Sequence, residues 1–408
     1  MTAQSIEGNA AAGAGRRQGW RNVILLASCQ ALFMTATSGM IVAAALVGFG
    51  LADDKSLATL PISLQFVAIM AATAPASLLM RRIGRRDGFT VGALFGLAGA
   101  LIAAKGLFEA SFALVCLGHF LVGVFNGFAQ FYRFAAADAA GEAHKTRAIS
   151  LVMAGGVVAS VGPLLASLVK DLFAPVDFAG IYVGIAGLYV ATLVILRFVT
   201  IPRPSAEERA ARGRPLLAIM RQPVFVVAVL AALVGYATMS VVMTSIPLAM
   251  KVCGMSFFDT AQVIQWHVFG MFAPSFFTGH LIRRFGLRNI MLAGAAIEAL
   301  CVLANVTDAT LANFWIGGIL LGVGWNFLFV GATTLVTSAY TPAEKAKTQA
   351  ANDFLVFSSV AVASLVSGVL HEVIGFTLMN YAVLPLLAIT VIAVLALGRH
   401  YRNAPRAA

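Results

Sequence analysis

Apolar residues fall in twelve runs long enough to cross a hydrocarbon core of about 30 Å, separated by short polar loops. The runs cover residues 22–50, 57–80, 88–108, 111–139, 147–171 and 177–199, then 222–250, 257–282, 288–307, 311–340, 347–371 and 376–398. Each predicts a membrane-spanning α-helix. Between the sixth and seventh runs lies the one long internal polar stretch, residues 201–223, rich in Pro, Arg and Glu, which reads as a linker. The expected organisation is a tail over 1–21, a six-helix bundle over 22–199, a linker over 200–221, a second six-helix bundle over 222–398 and a tail over 399–408. The first twenty residues show no short apolar core followed by a small-residue cleavage site, so they read as a tail and not a signal peptide.

One run departs from the apolar pattern. In the fourth, His119, Gly123, Asn126, Gln130 and Arg133 follow at steps of four, three, four and three, which puts them on a single helical face. An arginine at bilayer depth costs roughly 2.5–3.5 kcal/mol on insertion scales, so it is expected to face a water-filled cavity or a partner.

Composition agrees with the pattern. The 408 residues are 60% hydrophobic and 11% charged, with a mean hydropathy of +0.90, which excludes a soluble globular chain and predicts an all-α integral membrane protein. The net charge of +11 does not point to nucleic acid, because the basic residues sit in loops between apolar runs. With the N-terminus inside, the outer loops hold only Lys55, Lys105, Lys170 and Lys251. Arg133 stays within the membrane, and every other Lys and Arg of the 28 is on the cytoplasmic side. That asymmetry puts both termini in the cytoplasm of a cell (inner) membrane protein. Cys29, Cys116, Cys253 and Cys301 have neither paired nor metal-ligand spacing and read as packing residues; no metal or cofactor is expected.

The two halves repeat. Arg81-Arg82-Ile83-Gly84-Arg85 is echoed by Arg283-Arg284-Phe285-Gly286, Asn126 by Asn326, and the run from Glu142 to Arg147 by the run from Ala343 to Lys347. Duplicated six-helix units with intramembrane polar residues at matching places are a plan of secondary transporters.

On these residues the whole chain resembles the major facilitator superfamily. Ser77, Arg81, Arg82, Gly84, Arg85 and Arg86 occupy the places of that family's Gly-x3-Asp-Arg-x-Gly-Arg-Arg loop, and Gly279, Arg283, Arg284, Gly286 and Arg288 do so in the second half. Both copies carry arginine where the family has aspartate. His119 and Gly123 stand where the family's fourth helix often has Arg-x-x-x-Gly, and Gly155, Gly156, Gly162 and Pro163 resemble the fifth-helix signature of its antiporters. The resemblance implies twelve helices in two repeats, with helices 1, 4, 7 and 10 lining a central cavity. It also implies that the loop residues act as a gate. Because the aspartates are replaced, the expected pairs are Arg81 or Arg82 with Asp353, and Arg283 or Arg284 with Asp138 or Glu142, Arg85 belonging to the same cluster.

Under that arrangement Gln30, Asn126, Gln130, Arg133, His119, Tyr236, Trp325 and Asn326 are the candidate substrate-binding residues. Amides, an indole, a tyrosine and one arginine suit a neutral or anionic, partly aromatic solute. Isolated Ser and Thr residues are expected to bond back to their own helices. His119, Glu298 and His267 are the candidate proton carriers. The expected function is secondary active, proton-coupled transport of a small organic solute by a monomer in the lipid bilayer, through alternating access. Facilitated diffusion, export of an amphipathic toxic compound and import of a vitamin-like heteroaromatic nutrient are the alternatives. A membrane receptor or enzyme is the competing class, but the chain has no clustered metal-ligand spacing, phosphate-cradling loop or nucleophile elbow, so it is not expected to be an enzyme.

Overall fold

Inside lipid a backbone must satisfy its own hydrogen bonds, and the described residues are helical wherever the sequence is apolar. The structure is a computed structural model that describes residues 3–140, 145–201, 213–341 and 344–403. Its first half comprises α1 (Ala3–Leu51), α2 (Leu60–Ile83), α3 (Arg85–Phe108), α4 (Phe112–Ala129), α5 (Tyr132–Ala140), α6 (Lys145–Val158), α7 (Gly162–Val169) and α8 (Ala179–Leu196). A short α9 (Leu216–Met220) ends the linker. The second half comprises α10 (Pro223–Val252), α11 (Phe257–Phe272), α12 (Ser275–Phe285), α13 (Leu287–Thr307), α14 (Leu311–Val336), α15 (Lys345–Ala382) and α16 (Leu384–Asn403). Among the described residues, nine helical segments are long and apolar enough to cross a membrane. Their outward faces carry exposed Leu, Ile, Val and Phe, and so do the shorter helices, as at Leu168, Phe276, Val373 and Ile392. Lipid is the solvent such faces require.

Several expected spans are interrupted, and the causes are local. Proline has no N–H and its ring clashes with the preceding turn. Pro163 stands in the first turn of α7 after a 3₁₀ turn at Ala159–Val161, and Pro274 caps α12 after α11 has ended. α15 is kinked at Gly375, where φ is 75°. The run over 111–139 divides into α4 and α5 at Gln130 and Phe131. The two arginine-rich repeats end α2 and α12 in the same way: Gly84 (φ 96°) and Gly286 (φ 85°) turn the chain in a region that favours glycine, and donate back to the Met80 and Ile282 carbonyls.

The first half packs around Phe89, Phe125, Tyr132, Tyr182 and Tyr189, all buried. The second packs around Met291, Leu328 and Val356, with a further cluster at Ile219, Phe225 and Val336. The halves meet in two apolar clusters. One joins Val42 and Ala159 to Met239, Met243, Ile264 and Trp325. The other lies at the end away from the termini, where Ala45, Leu46 and Ala58 pack on Leu248 with Phe178 and Phe257, whose rings are 5.3 Å apart. Along the same seam Ser63 donates to Ser364 at 3.2 Å, and a side chain on Gly368 would collide with Thr59. At the opposite end the linker is tied to the second half: the Arg214 guanidinium donates to both Glu344 oxygens at 2.7 Å, and the Thr341 N–H donates to Glu344 at 2.9 Å. These donors hold the Glu344 carboxyl well below the usual carboxylate range. Cys29, Cys116 and Cys301 are buried, as packing residues should be, whereas Cys253 is exposed at the end of α10.

Candidate functional site

Between the halves lies a cavity lined by α1, α2, α4, α5, α10, α11, α14 and α15. The second half supplies an aromatic wall. Tyr236 stands edge-on to Trp325 at 5.2 Å and to Phe329 at 5.5 Å, and Trp325 stacks on Phe329 at 4.8 Å with only 10° between the planes. Phe272 and Phe357 extend it. The Trp325 indole N–H is buried and has no acceptor. The first half supplies Gln30, Asn126, Gln130 and Arg133. Asn126 is 1% exposed, and neither its amide nitrogen nor its oxygen has a partner. Leaving such a buried group unpaired costs roughly 1–3 kcal/mol.

Arg133 and Asp353 both line this cavity and pair with each other, Nη2 to Oδ2 at 3.5 Å, across the boundary between the halves. Arg133 also lies 4.8 Å from the Phe134 ring, and the Asn352 amide donates to Asp353 at 3.1 Å. Asp353 is expected beside Arg81 or Arg82; among the described side chains its ion pair is with Arg133. The sequence pattern assigns these two residues to separate tasks, anchoring and gating; the fold brings them together. Arg82 is exposed, and the Arg81 side chain lies outside the described residues. Arg85 lies at the start of α3 beside Val199, Thr200 and Ile201. Arg283 contacts His280 at 3.4 Å, and Arg284 lies over Phe285. Their expected partners, the Asp138 side chain and Glu142, lie outside the described residues.

Three of the predicted substrate-binding and proton-carrying residues are not in the cavity. His119 is fully buried inside the first half, with Nδ1 3.2 Å from Gln65 Oε1 and Nε2 2.9 Å from the Tyr182 hydroxyl. It shares a helical face with Asn126, but α2 covers that turn of the face. The close approach is possible because residue 123 is glycine; a side chain on Gly123 would strike the Gln65 backbone. Asn326 is a clamp within the second half: its amide donates to the Met271 carbonyl (2.6 Å) and Ser275 Oγ (2.7 Å), and its oxygen accepts from Thr278 (2.7 Å). Glu298 is buried between α13, α10 and α14, close to Gly235 and Gly324, and neither oxygen has a partner. His267 does line the cavity; its Nδ1 donates to the Gly318 carbonyl at 2.9 Å, and its buried Nε2 has no partner. Thr37 bonds back to the Phe33 carbonyl, as expected for a membrane-helix threonine.

A membrane-embedded bundle of two similar halves enclosing a polar and aromatic cavity is the build of a solute transporter. The chain belongs to the Major Facilitator Superfamily, whose sequence profile it matches over residues 26–274 and 263–408. It is a multi-pass membrane transporter and not an enzyme. It is 42% identical over 375 residues to the riboflavin transporter RfnT of Brucella anthropi, covering 91% of this chain and 94% of that protein. It is 29% identical to the uncharacterised MFS-type transporter YddS of Bacillus subtilis, covering 86% and 85%. The fold matches a point mutant of the nucleoside transporter NupG with a TM-score of 0.74 at 14% identity, over 92% of this chain and 99% of that one. It matches an auto-inhibited POT family peptide transporter with a TM-score of 0.67 at 16% identity, over 95% and 99%.

Proposed function

We propose that this chain imports a flat heteroaromatic solute of the riboflavin type by alternating access, in symport with protons. The observation that carries the reading is the aromatic wall of Tyr236, Trp325 and Phe329 sharing one cavity with the amides of Asn126 and Gln130. A planar ring stacks on the first and a polar edge bonds to the second. The 42% identical riboflavin transporter supports the same substrate class.

Twelve crossings fit this scheme. α4 with α5, α6 with α7, and α11 with α12 each make one, and α15 and α16 make two. With both termini in the cytoplasm, the apolar seal around Leu248 and Phe257 closes the outer side, and Arg133 and Asp353 lie toward the inner mouth, 28% and 26% exposed. Asp353 is the group we assign to coupling, since a proton on its carboxylate dissolves the pair with Arg133 that joins the halves.

The test is flavin fluorescence with purified protein. Riboflavin should be quenched saturably, Trp325→Ala should weaken binding about tenfold or more, and Trp325→Phe should retain most of it, because a ring face is kept. No saturable quenching with folded protein would contradict the substrate assignment.

A further inference from the structure

We infer that Asn126 reads an imide or lactam edge of the substrate, the adjacent C=O and N–H of a flat heterocycle, and so fixes which edge of the ring enters the first half. This rests on the proposed flavin-type substrate and names the contact that selects it. A carboxamide offers a donor and an acceptor side by side. It matches such an edge with two parallel hydrogen bonds: the Asn126 amide N–H donates to a ring carbonyl, and the ring N–H donates to Asn126 Oδ1. A hydrocarbon ring satisfies neither.

The repeat shows that the unpaired amide of Asn126 is not imposed by the fold. Its counterpart Asn326 has its amide nitrogen and oxygen engaged, by the Met271 carbonyl, Ser275 and Thr278. The register set by Arg81-Arg82 and Arg283-Arg284 puts Ile69, Thr73 and Ala76 where Met271, Ser275 and Thr278 stand. Thr73 donates back to the Ile69 carbonyl at 2.7 Å and makes no hydrogen bond with Asn126. Ala76 has no hydroxyl to give. The helix break before Ser275 that leaves the Met271 carbonyl free has no counterpart in α2, which has Ala72 at the place of Pro274 and runs through its own Pro75 unbroken. Asn126 thus makes none of the three internal hydrogen bonds that Asn326 makes. Asn126, unlike Asn326, lines the cavity, where a ligand can replace them.

The experiment compares riboflavin, lumiflavin and N3-methyl-lumiflavin by fluorescence quenching on wild-type protein and on Asn126→Ala. Methylation at N3 removes the imide donor and leaves the stacking face intact. In the wild type, lumiflavin should bind and its N3-methyl form should bind about tenfold more weakly. In Asn126→Ala, lumiflavin should be weakened by a similar factor and methylation should cost little more, the non-additivity expected of two partners in one contact. Equal affinities of lumiflavin and its N3-methyl form for the wild type would overturn the inference without touching the flavin assignment. So would a methylation penalty of the same size in both proteins. Absence of binding by all three compounds to folded wild-type protein would overturn the substrate reading and the inference together. The wild-type comparison needs no variant, so it stands even where Asn126→Ala does not fold.

Discussion

Asn126 and Asn326 occupy matching places in the repeat and do opposite things. Asn326 makes three hydrogen bonds that hold the break between α11 and α12, whereas the Asn126 side chain makes none. Their alanine variants should therefore separate stability from function. Asn326→Ala should lose about 2 kcal/mol or more and unfold at a clearly lower temperature, because it strands buried partners. Asn126→Ala should unfold no earlier than the wild type, while binding flavin less well. Thermal unfolding of both variants in the same detergent is the check; a larger loss in Asn126→Ala would show that the amide has an internal structural role. The sequence marks both residues as polar groups in lipid and goes no further, because hydrogen-bond partners come from neighbouring helices. His119 illustrates the same limit. Its chemistry suggests a proton carrier, but Gln65 and Tyr182 occupy both ring nitrogens. His119→Gln should leave the pH dependence of uptake unchanged.

At the scale of elements, the apolar runs read as helical and the described residues there are helical, nine segments being long and apolar enough to cross a membrane. What periodicity does not tell is which neighbour covers each turn of the fourth run's polar face. α2 closes over His119 and Gly123, and the cavity opens only from Asn126 onward. Pro163 and Pro274 are visible as potential breaks, yet the apolar runs through them read as continuous. From sequence Asp353 is paired with loop arginines, because these are the conspicuous charges and Arg133 reads as a substrate group; the fold sets Asp353 beside Arg133. Since Arg133 and Asp353 sit on different halves, Asp353→Asn should leave exchange of flavin across the membrane in place while abolishing its proton-driven accumulation. Counterflow and gradient-driven uptake, measured on the same vesicles, distinguish the two. Loss of both would make the pair a structural tie, and loss of neither would remove it from the mechanism. The linker tie carries its own pH signature. Glu344 is held below the usual carboxylate range by Arg214 and Thr341, so its contribution to stability is fully present above the unfolded-state value of about 4.3 and is lost as pH falls below it. Glu344→Gln should be less stable than the wild type at pH 7, and the difference should shrink in melts taken below about pH 4.

At the scale of the whole molecule, the two-half plan is visible in the repeated arginine-glycine turns, and Gly84 and Gly286 do adopt matching conformations. The division of labour between the halves is not visible there. One half brings amides and a cation, the other the Tyr236, Trp325 and Phe329 rings and an acid, and they line one cavity. Under the proposed alternating access, the seal at Leu248, Phe178 and Phe257 and the Arg133–Asp353 end open in turn. The most direct measurement is uptake of riboflavin by proteoliposomes containing the purified chain, with an inward-directed proton gradient. The account predicts saturable accumulation above the external concentration that collapses when a protonophore removes the gradient. Uptake no greater than in protein-free liposomes, with the chain shown to be folded and reconstituted, would contradict it.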